Sequence, residues 1–149
     1  MPRVELIALD LEGTLVSNAV SQMPRPGLYE FLEFCRLAVL KLVIYSSVPE
    51  SKVRDVITNL IAEGCAPAWF HDVDCVRWSH KGSKDLTLIP GANVEATLLI
   101  DDNEGYVAPG QRQQWLPIAC YEPPYVDDDE ELVRVRHVLM KEWGCCAGS

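Results

Sequence analysis

Four stretches of this chain carry side chains that can act together in catalysis: Asp10 with Glu12, Ser46, Lys84, and Asp101 with Asp102. They gather several carboxylates, one ammonium and one hydroxyl. Carboxylates brought close repel one another unless a cation lies among them. A donor set made of oxygens suits Mg²⁺, which takes about six oxygens and keeps several of its waters. A lysine and a hydroxyl beside that cation suit a phosphoryl group, whose equatorial oxygens carry the charge. Gly13 lets the chain turn sharply after Glu12 and brings backbone N–H groups toward an anion. Plainer roles compete for the same residues. Asp10 and Glu12 also suit a helix-cap and turn pair, and Ser46 with Ser47 suits the cap of a following helix. By spacing alone, Lys81 rivals Lys84.

These residues need elements to position them. Val4–Leu9 is short, rich in branched residues and ends at Asp10, which predicts a strand. Leu28, Phe31, Leu32 and Cys35 recur at helical spacing after Pro26. Val39–Tyr45 predicts a second strand ending at Ser46-Ser47. A helix follows, with Pro49 in its first turn, Val53, Val56, Ile57, Leu60 and Ile61 on one face, and Gly64 as its stop. Cys75–Trp78 is a short strand candidate, and Thr97–Ile100 is a buried strand leading to Asp101-Asp102. Leu116–Cys120 is a further strand; Pro117 cannot donate to a ladder, which places it at a sheet edge. The acidic run Asp127–Glu131 reads as the first turn of a last helix continuing through Leu132, Val135 and Leu139. Near-continuous apolar strands alternating with helices argue for a parallel sheet covered on both faces. Ligands then bind beyond the carboxyl ends of the strands, where the polar residues fall.

Composition narrows the function classes. A chain of 149 residues is one domain's worth. The reading is a single domain over 1–143 and a frayed tail over 144–149. With 48% hydrophobic and 23% charged residues it needs no disulfide or metal staple to fold. Its 13 Lys and Arg against 22 Asp and Glu leave a charge of −9, which argues against nucleic acid as a partner. No apolar run is long enough for a membrane helix, and no signal-peptide pattern opens the chain, so no membrane partner and a cytoplasmic location are expected. The six cysteines contain no C-x-x-C pair and read as thiols.

The ordered motifs resemble the haloacid dehalogenase superfamily. Asp10-Leu11-Glu12-Gly13-Thr14-Leu15 is similar to its first motif, Ser46 to the second, Lys84 to the third and Ile100-Asp101-Asp102 to the fourth. A nearer resemblance, over roughly residues 4 to 140, is to the phosphatases of the RNA polymerase II carboxy-terminal domain and their NLI-interacting-factor-like relatives. It rests on Arg25-Pro26-Gly27-Leu28-Tyr29-Glu30-Phe31-Leu32, Val43–Ser47, Lys84-Asp85-Leu86-Thr87-Leu88 and Ile100–Asn103. The resemblance implies a three-layer α/β/α Rossmann-like core with at most a minimal cap. It also implies an Mg²⁺-dependent phosphatase acting on a phosphoprotein or a small phosphomonoester. Asp10 would be the nucleophile, forming an aspartyl phosphate, and Glu12 the general acid and base. Ser46, Lys84 and Gly13 would hold the phosphoryl group. Asp10, Asp102, Asp101 and the Glu12 carbonyl would surround the metal.

Two departures bear on that transfer. Glu12 stands where the family has Asp, and one added methylene moves the carboxyl by more than ~1 Å, a shift that can cost on the order of 10²-fold in rate. The stretch between Asp10 and Ser46 is also too short for the hairpin insertion of the polymerase phosphatases, leaving Ser17–Pro24 as a short loop over the site. Two alternatives follow: an impaired phosphate-binding protein, and another chemistry of the superfamily such as dehalogenation. Cys65, His71, Cys75 and His80 match no common zinc spacing and read as core and loop residues. Trp69, Trp78, Trp115 and Tyr106 read as core or as substrate surface.

Overall fold

The computed structural model describes residues 3–146. Five strands form one all-parallel sheet: β1 (Leu6–Leu9), β2 (Lys41–Ser46), β3 (Asp74–Arg77), β4 (Thr97–Asp101) and β5 (Trp115–Pro117), in spatial order β3-β2-β1-β4-β5. The central strands are buried throughout, which explains their unbroken apolar sequence. Pro117 lies on an edge strand, as its missing donor requires.

Three α-helices accompany the sheet among the described residues: α1 (Leu28–Ala38), α2 (Glu50–Ala62) and α3 (Glu131–Glu142). All three pack on one face of the sheet. Ile7 and Leu9 of β1, Ile44 of β2 and Ile100 of β4 meet Phe31, Ile57 and Val135 there. Residues of opposite parity (Leu6, Ala8, Val43, Tyr45 and Leu99) face the other way, onto Trp78, Leu86 and Ile89. That second layer is built from loops and one-turn helices such as Leu86–Leu88 and Val94–Ala96. The strand order supplies the reason. The chain runs outward from β1 to β3, then crosses back to β4, and right-handed crossovers in opposite directions lie on opposite faces.

The acidic run does not form the first turn of α3. Only Glu131 is helical, and Asp127–Glu130 lie ahead of it. Asp129 serves two partners: its Oδ1 accepts the Glu131 N–H at 3.1 Å at the helix start, and its two oxygens receive Arg25 Nε and Nη2 at 2.9 and 3.0 Å. Arg25 is 1% exposed and also donates to the carbonyls of Gly13 and Thr14. The buried guanidinium thus ties the loop after β1 to the entry of α3. At the chain end, Cys145 is buried and its N–H donates to the Leu139 carbonyl, while residues 147–149 of the expected tail lie outside the described residues.

Candidate active site

The strand order reverses between β1 and β4, and their carboxyl ends open the crevice in which such sheets bind ligands. Asp10 follows β1 there, and its N–H donates to Ile100 of β4. Asp101 ends β4 and Ser46 ends β2. The three strand ends therefore converge on one edge. A cavity of about 150 Å³ lies over them, lined among others by Asp10, Glu12, Ser46, Lys84 and Asp102.

Lys84 occupies the middle of this arrangement. It is 2% exposed, whereas Lys81 lies on the surface. Its Nζ donates to Asp10 Oδ1 at 3.0 Å and to Asp101 Oδ2 at 2.6 Å. Two backbone contacts hold it in place: its N–H donates to the Tyr106 carbonyl, and Tyr45 Oη donates to the carbonyl of the adjacent Asp85. Burial disfavours the ammonium, but Asp10 and Asp101 outweigh that effect and hold its pKa above the ordinary lysine value.

The carboxylates outnumber this ammonium. Oxygens of Asp10, Asp101 and Asp102 lie within 4.8 Å of one another, the one such cluster of potential metal ligands among the described residues. Burial, opposed by Lys84 and reinforced by Asp102, pushes Asp10 up to about 7. Burial and the Asp10 charge likewise raise Asp101. Asp101 is fully buried and both its oxygens are engaged, one with Lys84 and one with the Asn103 N–H. It is placed to anchor Lys84, behind Asp10 and Asp102.

Glu12 reaches the cavity from an exposed position, with Oε2 accepting the Ala19 N–H at 2.8 Å. Ala19 belongs to the short loop, which Asn18 closes by accepting the Val20 and Ser21 amides. Ser46 is 5% exposed and its Oγ accepts the Val48 N–H, so it caps the turn and lines the cavity at once. Gly13 has φ +77°, and a Cβ there would lie 2.8 Å from Asp102 Oδ2. Its N–H donates to Val16 O, so what Gly13 supplies directly is room for Asp102.

Several participants carried a weaker signal in the sequence. Thr14 Oγ1 donates to Asp10 Oδ2 at 2.8 Å and orients that carboxylate; its place four residues on, in the same turn, was the available clue. Cys120 Sγ would lie 3.0 Å from a Cβ on Gly13, beside Asp102, and nothing local marked it. Trp78, His80 and Tyr106 line the cavity. Trp69 packs instead against α1, where its Nε1 donates to Glu33, and Trp115 Nε1 donates to the Asp101 carbonyl. Cys65, His71, Cys75 and His80 do not form a cluster of potential ligands among the described residues.

The profile of the NLI interacting factor-like phosphatases matches residues 5–143, nearly the whole chain. The chain belongs to that family. No curated protein matches it significantly. Membership in the NLI interacting factor-like phosphatases gives the strand-end residues their context: a phosphatase fold with a phosphorylated substrate. No helix among the described residues is long and apolar enough to cross a membrane.

Proposed function

We propose that this protein is an Mg²⁺-dependent phosphomonoesterase that works through an aspartyl phosphate on Asp10. One observation carries the reading: Lys84 bridges Asp10 and Asp101 in a buried pocket that Asp102 completes. Three carboxylates against one ammonium leave excess negative charge, which fits a divalent cation. Asp10 and Asp102 would hold it, with the Glu12 carbonyl completing the set by family resemblance and Asp101 behind them. The cation would supply charge neutralisation for the phosphoryl oxygens and for the crowded carboxylates.

The chain's own residues do the rest. Thr14 and Lys84 fix Asp10 so that a carboxylate oxygen attacks phosphorus in line, forming the Asp10–phosphorus bond as the ester oxygen departs. Glu12 gives its proton to that departing oxygen and then takes one from the attacking water. The water's oxygen bonds to phosphorus, the Asp10–phosphorus bond breaks, and inorganic phosphate leaves. Ser46 and Lys84 bind the phosphoryl oxygens. A cytoplasmic location belongs to the same proposal, supported by six free thiols.

The test is hydrolysis of p-nitrophenyl phosphate with Mg²⁺, with chelator, and in Asp10→Asn. Activity that vanishes on chelation and in the variant is expected. Activity unchanged in Asp10→Asn overturns the nucleophile, and activity unchanged by chelation overturns the dependence on a divalent cation. A second reading, a phosphate-binding protein without turnover, is favoured by the exposure of Glu12. It predicts phosphate binding with no measurable hydrolysis in either the native chain or Glu12→Asp.

A further inference from the structure

The cavity has two unlike walls. Asp10, Ser46 and Lys84 form the charged one. Trp78, His80 and Tyr106 form the other, with ring centroids 4.4 Å apart for Trp78 and Tyr106, 4.9 Å for Trp78 and His80, and 5.9 Å for His80 and Tyr106. The aromatic wall starts beside the phosphoryl-binding group: Lys84 Nζ lies 5.4 Å from the Trp78 ring and 5.5 Å from the Tyr106 ring. Trp78 is buried, Tyr106 is half-buried and His80 is exposed. The free aromatic surface is therefore that of Tyr106 and His80.

Two local costs sit in this wall. His80 has φ +65°, a left-handed conformation that glycine would adopt without strain. Trp78 Nε1 is the one buried side-chain nitrogen or oxygen among the described residues without a hydrogen-bond partner. Neither feature stabilises the fold. Strained backbone clusters at ligand-binding surfaces, and a buried donor without a partner is open to one brought by a ligand.

We infer that the site takes aryl phosphates, with the phosphoryl group at Lys84 and Ser46 and the aromatic ring against Tyr106 and His80. The inference rests on the reading above for the phosphoryl end. An alkyl chain such as that of phosphoserine gains little from a π surface, whereas a ring gains offset or edge-to-face stacking at centroid distances of about 4.5–7 Å. A cavity of about 150 Å³ is small beside the roughly 300–1,000 Å³ of sites for larger ligands, which suits one phosphoryl group and one ring. Phosphotyrosine in a protein and a free aryl phosphate share this chemistry.

Binding of non-hydrolysable phosphonates, measured by calorimetry with Mg²⁺, separates this inference from turnover. Phenylphosphonate is expected to bind about tenfold or more tighter than methylphosphonate. In His80→Gly, which removes the ring and relieves the backbone, and in Tyr106→Leu, that preference shrinks to about threefold or less. Equal affinities in the native protein, or a preference that survives both substitutions, overturn the aryl site and leave the phosphatase reading standing. Binding of neither phosphonate overturns both. A preference for phenylphosphonate in a chain that hydrolyses nothing supports the aryl site and rejects the enzyme. Phosphonomethyl-phenylalanine, free and within a peptide, then distinguishes the sources: tighter binding of the peptide indicates a protein substrate, and equal binding a small aryl phosphate.

Discussion

The Glu12 carboxylate stands on a side chain one methylene longer than an aspartate, and the Ala19 amide holds Oε2 at 2.8 Å. The short loop can therefore position the longer acid, leaving Oε1 for the departing oxygen. Glu12→Gln keeps an acceptor for Ala19 but cannot shuttle a proton. Its kcat on an alkyl phosphate is expected to fall by about 10²- to 10⁴-fold. The fall on p-nitrophenyl phosphate, whose leaving group needs little protonation, is expected to be much smaller. Equal losses on both substrates would mean that Glu12 acts through structure alone. At this scale the sequence was informative where a polar residue stood at or just past the end of an apolar run, as at Asp10, Ser46 and Asp101, and the family resemblance added Lys84. Asp10, Ser46, Lys84 and Asp101 all converge on one edge. Cys120 was not legible, because its neighbour Asp102 arrives from a distant strand end.

At the scale of elements, the Arg25–Asp129 pair joins the loop after β1 to the start of α3, two segments far apart in the chain. Arg25 has no accessible side-chain surface and packs 5.3 Å from the Tyr121 ring centre. Removing one partner of such a pair leaves a charge without compensation. Arg25→Met is expected to cost about 3 kcal/mol. That is a fall of roughly 6–12 °C in the thermal midpoint for a domain of this size, measured by calorimetry. The strands and helices were readable because their apolar periods are strong. The acidic run was legible only in part: Asp129 does accept the first N–H of α3, but only the tertiary structure shows that the same carboxylate also pairs with the buried guanidinium of Arg25.

For the whole molecule, the excess carboxylate at the strand ends couples stability to pH and to metal. Burial holds the Asp10 proton up to about 7, so the folded chain favours the protonated form. Its contribution to stability is full below the unfolded aspartate pKa near ~4 and is lost as pH rises through about 7. Without divalent cation, the thermal midpoint is expected to fall between pH 5 and pH 8. Under the proposed function, Mg²⁺ at about 100 times its Kd is expected to restore roughly 2.7 kcal/mol. The gap between Mg²⁺ and chelator is expected to widen as pH rises and to shrink in Asp10→Asn. A gap independent of pH in scanning calorimetry would remove Asp10 from the metal site.

The sequence by itself determined the local features: buried strands from unbroken apolar runs, an edge strand from Pro117, and carboxylates and a hydroxyl at strand ends. These are written in nearest-neighbour chemistry, so spacing reveals them. Only the tertiary structure decided which residues meet. It set Lys84 between Asp10 and Asp101, brought Asp129 to Arg25, and packed Trp78 and His80 against Tyr106. Each pairing joins segments brought together by the crossover from β3 back to β4 or by the return of the chain to α3. No local period encodes such a meeting; burial of the sheet's two faces imposes it.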